Sequence, residues 1–246
     1  MEKFKKVLIL GANSDIAKNI AHQLSKKKYK LTLISRNIDE IKSFLYKLKV
    51  NIEEIEFICM DLKEIIRFQV YYENLKDKHD IVISAIGELS KDTENKKINL
   101  IDQMINSNYI YPAKCLEIIS NVFLEEKPNK EKIILGISSV AGDRGRAKNF
   151  HYGAAKSAFT VFLSGLRQKL SKSKITIITV SLGFVDTKMT KDEKISNLLN
   201  TKPEIIAKKI IICIEKSKLI YIPLQWRIIM TIIKLIPENI FKKLNF

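Results

Sequence analysis

The chain reads as an α/β protein, one doubly wound domain with a seven-stranded, mostly parallel sheet flanked by helices. Three observations predict this. Short apolar runs alternate with longer helical patterns from end to end. The runs are continuously apolar, as strands covered on both faces require. The first run breaks into a glycine-containing loop and a helix starts at once. With 246 residues, 46% of them hydrophobic, the chain has enough apolar material for one sizeable core.

Taken in order, Val7–Leu10 is the first strand and Asp15–Lys27 the first helix. Leu31–Ser35 and Ile55–Met60 are the next strands, followed by helices over Ile38–Leu48 and Lys63–Lys76 respectively. Ile81–Ser84 is a short buried strand. A polar stretch, Glu88–Asn99, separates it from one long helix over Ile101–Leu124 and is expected to be a mobile loop. Ile133–Ser138 and Thr176–Leu182 are strands five and six, with the helix Tyr152–Leu170 between them. A second polar loop, Lys188–Lys202, leads to the helix Pro203–Lys216 and a weaker seventh strand, Leu219–Pro223. Residues 1–223 form the body of the domain. Residues 224–246 are an amphipathic extension of it, divided by Pro237. No repeat or low-complexity tract interrupts the pattern.

The formal charge is +16, most of it lysine scattered over helix faces. No basic stripe with interleaved aromatics is present, so a nucleic-acid partner is not expected. Cys59, Cys115 and Cys213 are odd in number and far apart, without metal-ligand spacing. Free thiols in a reducing cytoplasm and no metal are expected. The apolar stretch at the N-terminus is too short for a signal peptide, and no run approaches the ~18 apolar residues of a membrane span.

A strand, a tight loop and a helix N-terminus together form a Rossmann-type phosphate cradle: backbone amides and the positive helix end face a pyrophosphate. Gly11, Ser14 and Ile16 stand where this requires, with Asn13 and Asp15 in the same loop. After the second strand, where an acid would select NAD, stands Arg36. It suits the 2′-phosphate of NADP, so NADP(H) is expected over NAD(H). Asp61 and Leu62 follow strand three at the adenine position, and Asp61 also reads as a helix cap. Ala85 and Gly87, after strand four, are small enough to pass beneath a cofactor.

Strand five ends in Ser139, and Tyr152 and Lys156 follow one helical turn apart. Carbonyl reduction needs a proton donor for the developing alkoxide. A free tyrosine, with a pKa near 10, is a poor one at neutral pH. A lysine cation nearby is expected to lower that value, while a serine hydroxyl holds the substrate oxygen.

Together these motifs resemble the short-chain dehydrogenase/reductase family, from the glycine loop to the region after strand six. The resemblance implies Ser139, Tyr152 and Lys156 as catalytic residues, with Tyr152 and Lys156 also touching the cofactor. It implies Asn108, ahead of Pro112, as a fourth catalytic group kinking the long helix and relaying protons through water. It adds Gly183, Val185 and Thr187 as cofactor contacts. The sequence departs from the family pattern in three places. Asp15 and Ala17 replace loop glycines, Ser84–Gly87 replaces an Asn-Asn-Ala-Gly segment, and Leu182-Gly183 replaces Pro-Gly. Asp15 is tolerable near a pyrophosphate only if it faces away and caps the helix.

A narrower resemblance rests on the loop Gly11–Ala17, on Ser138–Arg144, on Ala147–Phe150 and on the ending Ile236–Leu244. These are similar to the reductase half of decaprenylphosphoryl-ribose 2′-epimerase. It implies reduction of a keto-sugar linked to a polyprenyl phosphate in cell-envelope glycan synthesis and a separate oxidase partner; a homo-oligomer is expected because relatives commonly form dimers or tetramers. Arg144 and Arg146 are candidates for the substrate phosphate. The C-terminal segment, from Leu224 to Phe246, is a candidate for peripheral contact at the inner face of a membrane, or for packing on the core or a dimer interface. The competing readings are a reductase of a 3-oxoacyl thioester or small polyol, and a non-catalytic nucleotide sensor.

Overall fold

The structure, a computed structural model, describes residues 6–90, 99–190, 200–216 and 220–244. Its strands are β1 (Lys6–Leu10), β2 (Lys30–Ser35), β3 (Ile55–Cys59), β4 (Ile81–Ser84), β5 (Lys132–Ser139), β6 (Ile175–Leu182) and β7 (Ile220–Ile222). Its helices are α1 (Asp15–Lys26), α2 (Asp39–Lys47), α3 (Ile65–Glu73), α4 (Asn99–Ile105), α5 (Tyr111–Glu125), α6 (Phe150–Lys169), α7 (Pro203–Lys216), α8 (Gln225–Leu235) and α9 (Glu238–Phe241). The strands form one sheet in the order β3-β2-β1-β4-β5-β6-β7, and every pairing is parallel. The connection reverses direction between β1 and β4, which opens a crevice at the carboxyl ends of the strands.

The apolar character of the central strands has a direct cause; β3, at the sheet edge, is only half-buried and carries the exposed Glu56. In β1, Val7 and Ile9 join the layer of α1, α2 and α7, while Leu8 and Leu10 join the layer of α3, α5 and α6. Alternate residues thus enter two cores, and neither parity can be polar. The interiors of the two polar loops, including residues 91–98 and 191–199, lie outside the described residues, as do Leu219 and Phe246.

The expected single helix over Ile101–Leu124 is instead α4, a π-helical turn over Asn106–Ile110, and α5. Pro112 explains the break. It has no N–H for the carbonyl of Asn108, and its ring would crowd that carbonyl in a regular helix.

Beyond β7 the chain folds back as α8 and α9. Trp226, Met230, Ile233 and Phe241 form a third apolar cluster with Val140. The approach is close: a Cβ on Gly183 would stand 2.0 Å from the Trp226 indole nitrogen. Among the described residues no helix is long and apolar enough to cross a membrane.

Candidate active site

Two adjoining cavities lie at the carboxyl ends of the strands. The larger, about 560 Å³, runs beside the β1–α1 loop. Gly11, Asn13, Ser14, Arg36, Asp61 and Leu62 line it. The smaller, about 130 Å³, is walled by Asn108, Ser139, Arg146, Tyr152, Lys156, Gly183, Val185 and Thr187, with Ile16 at its side. Ser14, Ala85, Gly87 and Met189 border both. Every candidate residue read from the sequence therefore lines one cavity or the other, except Asp15 and Arg144.

The loop geometry follows from its residues. Gly11 turns through φ +74°, and a Cβ there would meet the backbone of Ala85 at 3.0 Å. Ser14 caps α1 by accepting the Ala17 N–H at 3.0 Å. The remaining amides of the first turn have no acceptor within the helix, and they point from its positive end toward the crevice. Asp15 turns away from this end. Its Oδ2 accepts the backbone N–H of Lys188 at 2.8 Å. Its Oδ1 lies 3.8 Å from Lys18, which is buried and pairs with Glu40 at 2.6 Å. Lys188 reaches the same Glu40 oxygen at 2.5 Å. The carboxylate that looks awkward in the loop thus belongs to a network tying α1 and α2 to the segment after β6. Asp61 accepts the N–H of Lys63 at 3.0 Å in a local turn; the helix expected to start at Lys63 starts at Ile65 behind Glu64, so Asp61 is not its cap.

Ser139 ends β5, and its hydroxyl accepts the Ala141 N–H at 3.1 Å and hydrogen-bonds the Tyr152 phenol. Tyr152 is in the first turn of α6 and Lys156 in the next. The Lys156 ammonium donates to the Ile137 carbonyl at 3.3 Å. Asn108, fully buried in the π turn, exchanges two hydrogen bonds with the backbone of Glu88, at 3.1 and 2.8 Å. Its Oδ1 and the Lys156 ammonium converge on Gly87, 2.9 and 3.0 Å from where a Cβ would stand.

Burial governs the protonation of this group. It pushes the Tyr152 phenol up to about 12, against the hydrogen bond from Ser139 and the charge of Arg146. It pushes Lys156 down to about 8. The expectation that Lys156 lowers the tyrosine pKa is therefore not met. The ammonium turns to Ile137 and sits 5.8 Å from the centre of the Tyr152 ring, and the cation that eases the phenolate is Arg146.

The two arginines part company. Arg144 donates to the carbonyls of Ile233 and Ile236 at 2.6 and 2.5 Å, and pairs with Glu238 at 2.9 Å. Its guanidinium lies 3.8 Å over the Phe241 ring. It caps α8, and the substrate role expected for it is withdrawn. Arg146 borders the cavity with its Nε buried and without a hydrogen-bond partner, and the Asn149 Oδ1 beside it is in the same condition. Asn149, Met189 and Lys63 were not singled out in the sequence. Only Lys63, two residues after Asp61, carried a legible signal, as a second cation near Arg36.

A family model described as short chain dehydrogenase matches residues 5–197. A 3-oxoacyl-(acyl-carrier-protein) reductase of Buchnera aphidicola subsp. Schizaphis graminum is 27% identical over 201 residues, covering 76% of each chain. A short chain dehydrogenase of Burkholderia cenocepacia, solved in complex with NADP, superposes with a TM-score of 0.81 at 13% identity. That match covers 98% of this chain and 97% of the other. A short chain dehydrogenase of Mycobacterium paratuberculosis bound to NAD gives 0.71 at 16% identity, covering 84% and 89%.

Proposed function

We propose that this chain, which belongs to the short-chain dehydrogenase family and is an NAD(P)-dependent oxidoreductase, reduces the carbonyl of a substrate bearing an anionic group, with NADP(H) preferred. One observation carries the reading: Ser139, Tyr152, Lys156 and Asn108 line one cavity, and it shares Ser14, Ala85 and Gly87 with the cleft beside the β1–α1 loop.

The cleft fits that cofactor on its own terms. Gly11 leaves the backbone bare where a diphosphate must approach, and the capped N-terminus of α1 faces the same space. Gly11, Asn13, Ser14 and Ile16 would hold the diphosphate, Asp61 and Leu62 the adenine, and Val185 and Thr187 the nicotinamide end. Arg36 and Lys63 would meet a 2′-phosphate, which supports NADP(H). The Burkholderia neighbour with NADP agrees with this, and the NAD-bound neighbour marks it as a preference rather than a rule.

When bound, the cofactor supplies a hydride. The chain supplies position and a proton. With its pKa near 12, Tyr152 is protonated at neutral pH and so carries the proton that reduction consumes. The Ser139 hydroxyl, bonded to the phenol, holds the carbonyl oxygen beside it. Lys156 binds the ribose and, with Asn108, returns a proton to Tyr152 through water. Arg146 lines the same cavity with its buried Nε free of a hydrogen bond, and although Asp143 lies near enough to act on its charge, that open donor supports a phosphate or carboxylate on the substrate.

The finer reading of that substrate is a keto-sugar carried on a polyprenyl phosphate, supported by the motif resemblance and by Arg146. A 3-oxoacyl thioester is the second reading, favoured by the name of the Buchnera relative. Fluorescence titration with NADPH and NADH, followed by NADPH oxidation with phosphorylated keto-sugars and acetoacetyl thioesters, separates them. Tyr152→Phe is expected to abolish turnover and leave NADPH binding within about threefold. Retained turnover, or no nucleotide binding by the parent chain, would sink the proposal.

A further inference from the structure

The helix α8 is apolar on two opposite sides. Its inner side, Trp226, Met230 and Ile233, is buried on the body. Its outer side carries Leu224, Ile228, Ile232 and Leu235 at helical spacing, 65%, 66%, 59% and 77% exposed. A helix lying on a protein surface normally turns polar residues outward, so a second apolar stripe calls for a second partner. Ile240 on α9 and Leu244 just beyond are exposed as well.

The charges around the stripe are mainly positive, with Glu238 on α9 and Asp143 near Lys234 as the acids beside them. Arg227 and Lys234 lie between the buried and exposed sides of α8, and Lys242 and Lys243 follow α9; all four are exposed. The single acid between residues 224 and 244, Glu238, is paired with Arg144. We infer that this outer face of α8 and α9 docks on an anionic lipid bilayer, with α8 lying in the interfacial plane. Exposed aliphatics flanked by cations are what such a surface binds: the apolar stripe enters the acyl boundary and the cations meet lipid phosphates. A second copy of the chain fits worse. A two-fold contact through this stripe would bring two sets of the same four cations together, on chains that each carry +16. Arg144 makes the face rigid, because it ties the end of α8 to the loop after β5. The inference stands on the geometry of α8 and does not depend on the reaction assigned to the cavity. It does join the two, since Trp226 on the inner side packs against Gly183 of the cavity wall.

The test is co-sedimentation of the full chain with vesicles of phosphatidylcholine, with and without phosphatidylglycerol. Binding to the anionic vesicles is expected to be at least about tenfold tighter than to the neutral ones, and to weaken as salt rises. Ile228→Glu with Ile232→Glu should reduce it at least about tenfold. Ile66→Glu, at a still more exposed isoleucine on α3, should leave it unchanged. Near-ultraviolet circular dichroism and NADPH binding verify that the variants are folded, and they read the cavity separately from the docking face. Absence of binding to anionic vesicles would overturn the inference, as would equal binding by the double variant. So would sedimentation velocity showing a lipid-free oligomer that the double variant dissolves, because the stripe would then be an interface between copies.

Discussion

Replacing Lys156 with methionine should abolish activity and, at neutral pH, make the cofactor-free protein more stable. The ammonium is buried, and burial lowers its pKa from 10.5 to about 8. At about 1.4 kcal/mol per unit, keeping it charged at pH 7 costs the native state roughly 3 kcal/mol. Methionine fills a similar volume without that cost, but it forfeits the hydrogen bond to Ile137, worth about 1 kcal/mol. The variant should therefore gain about 2 kcal/mol at pH 7. The sign of the pH dependence follows from proton counts. Between about pH 8 and 10.5 the unfolded chain holds a proton on this lysine that the folded chain has released, so the parent gains stability as pH rises through that window. The advantage of the variant should shrink across it and reverse by about 1 kcal/mol near pH 10.5. Urea denaturation of both proteins at pH 7, 9 and 10.5 measures this, since every other titration cancels in the difference. A variant less stable than the parent at pH 7, or a difference independent of pH, would refute the claim that a desolvated charge sits at this position.

Three further outcomes follow from the same structure. His79 is buried and its pKa is pushed down to about 4, chiefly by burial, so the folded chain resists a proton that the unfolded chain accepts below about 6.5. Stability should fall by up to roughly 3 kcal/mol as pH drops from 6.5 to 4, and His79→Gln should flatten that slope in denaturation measured at pH 7 and 4.5. Arg144→Ala removes three charge-assisted hydrogen bonds, one of them to the exposed Glu238, and a ring contact, and should loosen α8 by roughly 2–4 kcal/mol. Trp226, the only tryptophan, should report this as red-shifted fluorescence while NADPH still binds; an unshifted spectrum would return Arg144 to the list of substrate contacts. Asp15→Asn should change NADPH affinity less than about threefold, because the carboxylate faces Lys188 and Lys18; tightening of about tenfold would mean that it repels the diphosphate after all.

Much of this fold was legible because its elements obey one constraint each. A strand buried on both faces must be apolar at every position, so Ile81–Ser84 could be bounded to the residue, and the other strands differ from their expected limits by a residue or two at the ends. The long central helix was not legible as three pieces, because the apolar spacing persists through Asn106–Ile110. Only Pro112 marked the break, and a proline near a helix start is also an ordinary first-turn residue. The C-terminal segment read as amphipathic without an orientation, since its inner and outer sides are both apolar. Periodicity assigns a buried face only when the opposite face is polar.

The site divides along a similar line. Residues fixed to regular elements came together as their spacing implied: Tyr152 and Lys156 share a face because a helix repeats, and Ser139 meets them because β5 ends beside α6. Residues on the connection between β5 and α6 had no such rule. Arg144 and Arg146 looked interchangeable in the sequence, yet one is drawn outward by the open carbonyls at the end of α8 and the other borders the cavity. What separated them was an acceptor almost ninety residues away, the terminal turn of a helix whose carbonyls lack partners in its own chain segment. The electrostatics of Tyr152 were mistaken for the same reason. A lysine one turn along the helix was the neighbour that spacing supplied, but the cation that counteracts burial comes from the loop, where spacing carries no information about direction. Substrate selectivity in this chain should therefore be sought in that loop, with Arg146→Met expected to raise KM for a phosphorylated ketone more than for a neutral one.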